Sequence, residues 1–247
     1  MARTVLEPLG FKCVGRCFRR VVNDIYQTVD LQQYSDGRHY EVTFGIYPFC
    51  CEITELQIRQ QTGGMFQVSK YAKMPSYGNK TDEDIVKCVT ALADIFQKQM
   101  VPVLERAVSV ISVYEEYEKL NNLMGSKDET VAWNAWNTDY KIAMLIKLGN
   151  YGLATEGLQW LIEHYKKVYL KNYEWAKEMQ SQYTLDMSEK LSLEYKDYFD
   201  EKISRCEDII RHLQTLDMDY INHLIEGNEQ KSRAALESCR KMIGTYS

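Results

Sequence analysis

A chain of 247 residues is long enough for one large domain or two small ones. Its apolar share of 45% and charged share of 26% are ordinary for a globular protein, and a net charge of -5 argues against bulk nucleic-acid binding, which needs a basic footprint. No segment approaches the uninterrupted apolar length of a membrane span. The opening Met1-Ala2-Arg3-Thr4 runs into Glu7 and Pro8 with no apolar core of a signal peptide. Seven cysteines include no C-x-x-C and no Cys/His pair at zinc spacing, so reduced thiols in the cytoplasm are expected.

Taken in chain order, Met1 to Leu9 predicts a helical turn or two, stopped by Gly10. Cys17 to Val22 predicts a short strand, and Asn23-Asp24 supplies turn chemistry, because short Asx side chains tolerate positive φ. Ile25, Gln27, Val29 and Leu31 then alternate with Tyr26, Thr28 and Asp30, the period of a strand. Ser35-Asp36-Gly37 is a second turn signal. Tyr40 to Ile46 places Tyr40, Val42, Phe44 and Ile46 on one face, and Pro48 ends the run because it cannot donate to a ladder. The prediction is a three-stranded antiparallel meander.

Leu6-x-Pro8-x-Gly10-Phe11, Gly15-x-x-Phe18-x-Arg20, Leu31-Gln32 and Phe44-Gly45-Ile46-Tyr47 follow one another in an order that resembles a bacterial domain family of unknown function. The resemblance spans about the first half of the chain, to around Leu104. Asp30 stands where the family more often has Asn, and Tyr34-Ser35 where it more often has Lys-Ser. The resemblance implies an α+β fold and no known reaction. By analogy alone it implies a place among immunity or defence components.

Beyond Pro48, Cys51 to Ile58 predicts a further strand, Thr62-Gly63-Gly64 a turn, and Met65 to Tyr71 a last strand. Met74 to Asn79 has loop composition and is the candidate binding loop. From Thr81 the period becomes helical: Thr81 caps, Asp82, Glu83 and Asp84 suit the positive helix start, and Ile85, Val89, Leu92, Ala93 and Phe96 share a face. Val101-Pro102 predicts a break, followed by a stripe of Val103, Leu104, Ala107, Val108, Ile111 and Tyr114. Gly125 to Asp128 marks the boundary between an α+β domain, 1–125, and a helical domain, 126–247.

The second half predicts helices over Val131 to Leu148, Tyr151 to Gln182, Ser188 to Leu213, Asp217 to Glu226 and Glu229 to Ile243, with Gly149-Asn150 as stop and cap. Antiparallel helical hairpins are the expected arrangement. Trp136, Tyr140, Ala143, Leu148-Gly149, Tyr151, Ala154 and Leu158 are similar to one tetratricopeptide-type helix pair, but no second copy follows at the repeat period, and a generic hairpin is the better reading.

The four histidines, His39, His164, His212 and His223, offer no metal-ligand spacing, and there is no nucleotide loop, dinucleotide glycine pattern or nucleophile elbow, so neither metal nor cofactor is expected. The acidic runs around Glu115-Glu116, Asp82 to Asp84 and Asp217 to Asp219 read as solvated helix faces. The early basic cluster of Lys12, Arg16, Arg19 and Arg20 reads as a solvated strand edge. Tyr165, Tyr169, Tyr173 and Trp175 are too many for one apolar stripe and predict an aromatic surface for a protein partner. Two functions follow. The first is a non-enzymatic cytoplasmic protein-binding module, in an immunity or defence setting, without membrane or nucleic acid. The alternative is an enzyme or nucleic-acid-processing domain, with a polar site on the sheet at Arg20, Gln32, His39 and Tyr47.

Overall fold

A computed structural model describes residues 2–14, 17–33, 40–60, 66–67, 81–123, 138–178 and 182–240. They form an α+β fold in which an N-terminal antiparallel sheet is followed by helices. The chain divides into two compact units, one of residues 1–132 with 226–247 and one of 133–225. The expected boundary between 125 and 126 falls among residues outside the described set, as do the predicted Ser35-Asp36-Gly37 turn and the candidate loop Met74 to Asn79.

The first unit opens with helix α1, Ala2–Leu6, and a 3-10 turn, Glu7–Leu9, closed by Gly10 in the left-handed region at φ 84°. The sheet is a five-stranded meander in sequence order, β1 (Lys12–Val14), β2 (Cys17–Val22), β3 (Ile25–Gln33), β4 (Tyr40–Pro48) and β5 (Phe66–Gln67), every neighbouring pair antiparallel. Three of these are the expected strands. β1 extends the meander at one edge, and β5 is the described part of the expected last strand. The turn at Asn23 takes φ 49°, and its side-chain amide donates to the Val108 carbonyl at 2.8 Å.

Pairing fixes the faces. Arg20, Gln27 and Ile46 stand in one row, and Val21, Tyr26 and Tyr47 in the next, so the two rows point to opposite sides. The first face carries Phe18, Ile25, Val29, Phe44 and Ile46, all buried. Above it runs helix α3 (Asp82–Ile95), a π-helical turn (Phe96–Met100) and helix α4 (Val101–Arg106), followed by α5 (Val110–Leu123). Leu92, Phe96, Met100, Val103, Leu104, Val113 and Tyr117 are their buried side chains. Thr81 caps α3 in a reciprocal pair with Asp84, as its sequence predicts.

The expected break at Val101-Pro102 does not occur. The π-turn, with the Val101 N–H bonded back to the Phe96 carbonyl, absorbs the proline and the chain stays helical to Arg106. The break falls instead at Ala107, which leaves helical geometry at φ -79° and ψ 61°, and Ser109 and Ser112 cap the new helix reciprocally. The single stripe from Val103 to Tyr114 is thereby split, and Ile111 is 55% exposed. Tertiary contact decides this: the Gln27 amide donates to the Leu104 and Ala107 carbonyls at 3.1 and 2.7 Å, groups that continued helix would otherwise use.

The second face buries Cys17, Arg19, Tyr26, Thr28, Asp30 and Tyr47. Helix α2, Glu55–Gln60, lies on it through an Arg19 Nη2 donor to the Ile58 carbonyl at 3.2 Å. A strand was expected over Cys51 to Ile58. The structure has a 3-10 turn at Phe49–Cys51, left-handed Glu52 at φ 55°, and α2 capped by a reciprocal Thr54–Gln57 pair. Thr-x-x-Gln is a capping box, and it outranked three apolar residues whose spacing suits neither period cleanly.

The second unit is an antiparallel arrangement of α6 (Thr138–Lys147), α7 (Tyr151–Glu178) and α8 (Gln182–Gln214) with the start of α9 (Met218–Arg240). Gly149 ends α6 at φ 75°, and the Gly149 and Asn150 N–H groups bond to the Ile146 and Leu145 carbonyls. α8 starts at Gln182, before the expected Ser188, and α9 is one helix where two were expected. Gly227 is carried inside it, at a cost of about 1 kcal/mol that burial of one helix face offsets.

The far half of α9 belongs to the first unit and docks on residues 49–55. Ser232, fully buried, donates its hydroxyl to the Phe49 carbonyl and accepts from the Ile53 N–H, each at 2.8 Å. Asn228 donates to the Cys50 carbonyl at 2.9 Å, Lys231 pairs with Glu52 at 2.9 Å, and Arg233 pairs with Asp24 at 2.8 Å. Replacing Ser232 by Ala strands the buried Ile53 N–H and leaves the Phe49 carbonyl with the Glu52 N–H alone, so Ser232→Ala is expected to lower unfolding free energy by about 1–3 kcal/mol in denaturant titration. Lys231→Ala, whose ion pair is exposed, is expected to stay within about 0.5 kcal/mol.

Candidate functional site

β1 pairs only with Cys17 to Arg19, so past Arg19 strand β2 has no partner on that side among the described residues. A cavity of about 490 Å³ opens there. It is lined by Gly10, Lys12, Arg19, Arg20, Val21, Tyr26, Phe49 and, from α9, Arg233, Leu236 and Glu237. Four of these side chains are basic and one is acidic.

Arg20 is the most constrained of them. Nε donates to Gln27 Oε1 at 2.8 Å, Nη1 to the Leu9 carbonyl at 2.6 Å and Nη2 to the Leu104 carbonyl at 2.7 Å, while the guanidinium lies 4.7 Å from the centre of the Phe11 ring. All of these contacts are to neutral groups. Burial pushes Arg20 below its ordinary value, and Glu105 acts against that shift. Arg19 points to the other face and is only 6% exposed. Its Nε donates to the Cys17 sulfur at 3.3 Å, and burial of that thiol raises it despite the guanidinium. Of the cluster expected as a solvated strand edge, Lys12 is exposed and Arg16 lies outside the described residues, but Arg19 is carried under α2 and Arg20 is half-buried. Arg233 lies over the Phe49 ring at 5.0 Å, on the α9 side of the cavity.

Of the four residues expected to converge on the sheet, Arg20 and Tyr47 stand in adjacent rows of opposite face and do not meet. Tyr47 is buried, stacked on Tyr26 at 6.1 Å, with its ring over Gly45, where an added Cβ would stand 2.3 Å from it. Gln32 is the β3 position opposite Glu41, and His39 lies outside the described residues. The cavity instead gathers Lys12 and Arg19, which the basic cluster contained, with Arg233 and Glu237, for which the sequence carries no local signal.

In the second unit, the expected partner-binding tyrosines Tyr165 and Tyr169 pack on Phe199 of α8, with ring centres 5.9 and 6.4 Å away. They line the seam between α7 and α8 and are not a free surface, because antiparallel helices turn these two positions toward each other. The side chains of Tyr173 and Trp175 lie outside the described set. Among the described residues the exposed tyrosines are Tyr195 and Tyr198, at 46% and 52%.

The titratable groups have structural partners. Glu116 was expected on a solvated face. It is buried, and although burial would raise its carboxyl, Arg106 at 2.9 Å and Lys119 at 3.0 Å hold it below the usual range. His212 stacks flat on Tyr220 at 3.7 Å and bonds Asp217 at 2.9 Å through Nδ1. Asp217 accepts the Tyr220 N–H at the start of α9, and this bond first, then His212, lowers its carboxyl. His164 stacks on Trp160 at 5.0 Å. Among the described residues, no group of three or more His, Cys, Asp or Glu stands close enough to hold a metal ion, and no helix is long and apolar enough to cross a membrane. Compared with known protein families, curated proteins and solved structures, the chain matches none.

Two outcomes check the α7–α8 seam. Phe199→Ala is expected to destabilise the protein by about 3 kcal/mol, read as a lowered melting temperature, because it empties a buried ring site that two tyrosines share. Cys206, buried in the same unit, is pushed up from 9.0 to about 11, by burial first and then by Asp139. Tyr165 is raised by the same two causes. Folding favours the neutral forms of both groups. Their contribution is whole below the unfolded values and is lost as pH rises through the folded ones. The melting temperature is expected to fall between pH 9.0 and about 11, less steeply in Cys206→Ala.

Proposed function

We propose that this is a non-enzymatic, cytoplasmic protein-binding module. The observation that carries the reading is the pair Tyr195 and Tyr198, one turn apart on α8 and both largely exposed while neighbouring Phe199 is buried. Tyrosine offers a large apolar area with a polar tip and few torsions to freeze, which suits a partner-facing surface. Lys202 lies 5.5 Å from the Tyr198 ring centre. The net charge of -5 suits a partner that is basic overall, such as a nuclease toxin in an immunity setting, and argues against nucleic acid itself. Cys13, Cys17, Cys50, Cys51, Cys206 and Cys239 carry free thiols, which supports a reducing compartment.

The test is capture of partners from the native host by the tagged full chain, beside a Tyr195→Ala, Tyr198→Ala double variant. The variant is expected to keep its melting temperature, since surface changes away from packing cost under about 0.5 kcal/mol. It is expected to lose a stoichiometric protein that the unaltered chain retains. Equal capture by both proteins would sink the assignment to this face.

A further inference from the structure

We infer that Cys50 and Cys51 are a site of reversible oxidation, at which closure of a disulfide between the two neighbouring residues releases the far half of α9 from the turn it docks on. The inference is independent of the protein-partner reading, which rests on Tyr195 and Tyr198.

The sulfurs come first. Cys50 Sγ and Cys51 Sγ lie 3.9 Å apart, within hydrogen-bond range for thiols, on the 3-10 turn Phe49–Cys51. Cys50 is buried and Cys51 half-buried, so a small oxidant reaches Cys51 while Cys50 stands behind it. Burial first, then the Cys50 sulfur, pushes the Cys51 thiol well above its ordinary value, and the pair rests as thiols. In a reducing compartment the disulfides that do form are transient, and redox sensing is one of their uses.

The backbone couples this pair to α9. Residues joined by a trans peptide hold their Cα atoms about 3.8 Å apart, whereas a disulfide usually spans about 4.4–6.8 Å between them. The Cys50–Cys51 peptide is trans. Closing the ring therefore twists that peptide and the torsions beside it out of the turn. Its Cys50 carbonyl is the group that accepts from Asn228 at 2.9 Å. Ser232 clamps the Phe49 carbonyl just before the pair and the Ile53 N–H just after it, each at 2.8 Å. Glu52, between the pair and Ile53, already sits in the left-handed region at φ 55°, which a residue with a Cβ adopts only at a cost. Docked α9 thus opposes ring closure, and by reciprocity a closed ring opposes docking by the same free energy.

A peroxide balances the step. The Cys51 thiolate attacks one oxygen of hydrogen peroxide and the O–O bond breaks. This leaves a sulfenic acid on Cys51 and a hydroxide, which takes up the thiol proton as water. The Cys50 sulfur then attacks the Cys51 sulfur. An S–S bond forms, the S–O bond breaks, and the hydroxyl leaves with the Cys50 proton as a second water. The two sulfurs give up one electron pair, and the peroxide takes it. A small dithiol reverses the change by exchange.

The experiment treats the full chain with hydrogen peroxide, blocks free thiols with iodoacetamide and digests with trypsin. Residues 39–59 leave as one peptide that holds Cys50, Cys51 and no other cysteine. Mass spectrometry is expected to show this peptide two hydrogens lighter and unalkylated, and dithiothreitol to restore it. In the oxidised protein, amide hydrogen exchange over residues 226–240 is expected to quicken at least about tenfold, the loss of about one buried hydrogen bond. Cys51→Ser closes no ring and is expected to show neither change. Ser232→Ala and Asn228→Ala each loosen the clamp and are expected to form the disulfide at least about fivefold faster, because local opening precedes closure. Four results would each overturn the inference: no two-hydrogen loss in that peptide, a closed ring that leaves exchange over 226–240 unchanged, the same quickening in Cys51→Ser, or disulfide formation no faster in the loosened variants. Should Ser232→Ala fail to fold, Asn228→Ala decides the last comparison.

Discussion

The side chains of Arg20 and Gln27 are the joint on which the first unit depends. They stand opposite each other on β2 and β3, bond to each other, and between them take the carbonyls of Leu9, Leu104 and Ala107. Three stretches far apart in the chain are thereby tied to the middle of one sheet face. The joint is polar in an otherwise apolar layer, and it is satisfied throughout on the Gln27 side. A buried polar network of this kind selects one arrangement of helix over sheet, because any other leaves donors or carbonyls stranded. It also ends α4 where it does, since the carbonyls it takes are the last ones the helix presents.

The same joint leaves a charge behind. Gln27 is neutral and its amide is spent. Arg20 keeps its positive charge and part of its donor capacity at the point where β1 has stopped covering the sheet edge. The cavity is the consequence of a three-residue strand beside a six-residue one. Its outer wall comes from α9, whose docking through Ser232 on the Phe49 and Ile53 backbone has nothing to do with the strand edge itself. Fold and candidate site thus share one arginine, while the second unit, held by the Phe199 seam, presents its exposed tyrosines on different chemistry.

The meander was legible because strands announce themselves by period two and by Asx turns, and both signals are local. The cap of α3 and the stop after α6 were legible for the same reason, through Thr81 and Gly149. The misreadings are of another kind. The crowding of Tyr165, Tyr169, Tyr173 and Trp175 does not tell surface from seam, because a single helix does not reveal which partner ring it meets, and the Phe199 that Tyr165 and Tyr169 meet lies on another helix. The basic cluster of Lys12, Arg16, Arg19 and Arg20 reads as one solvated edge, yet adjacent strand residues such as Arg19 and Arg20 point to opposite sides and neither is exposed. Thr54 and Gln57 carry a readable cap beside an apolar pattern with no clear period.

By itself the sequence determined the class of fold, the three principal strands and the starts of α3, α7 and α9, since these rest on spacing and capping within a few residues. Tertiary structure alone decided that both faces of the sheet are covered, that Ala107 and not Pro102 breaks the helix, and that Arg233 and Glu237 join Arg20 around a cavity. The reason is the same in each case. A hydrogen bond between Ser232 and Ile53, or between Gln27 and Ala107, is made across the fold, and neither residue type differs locally from a serine or glutamine that faces water.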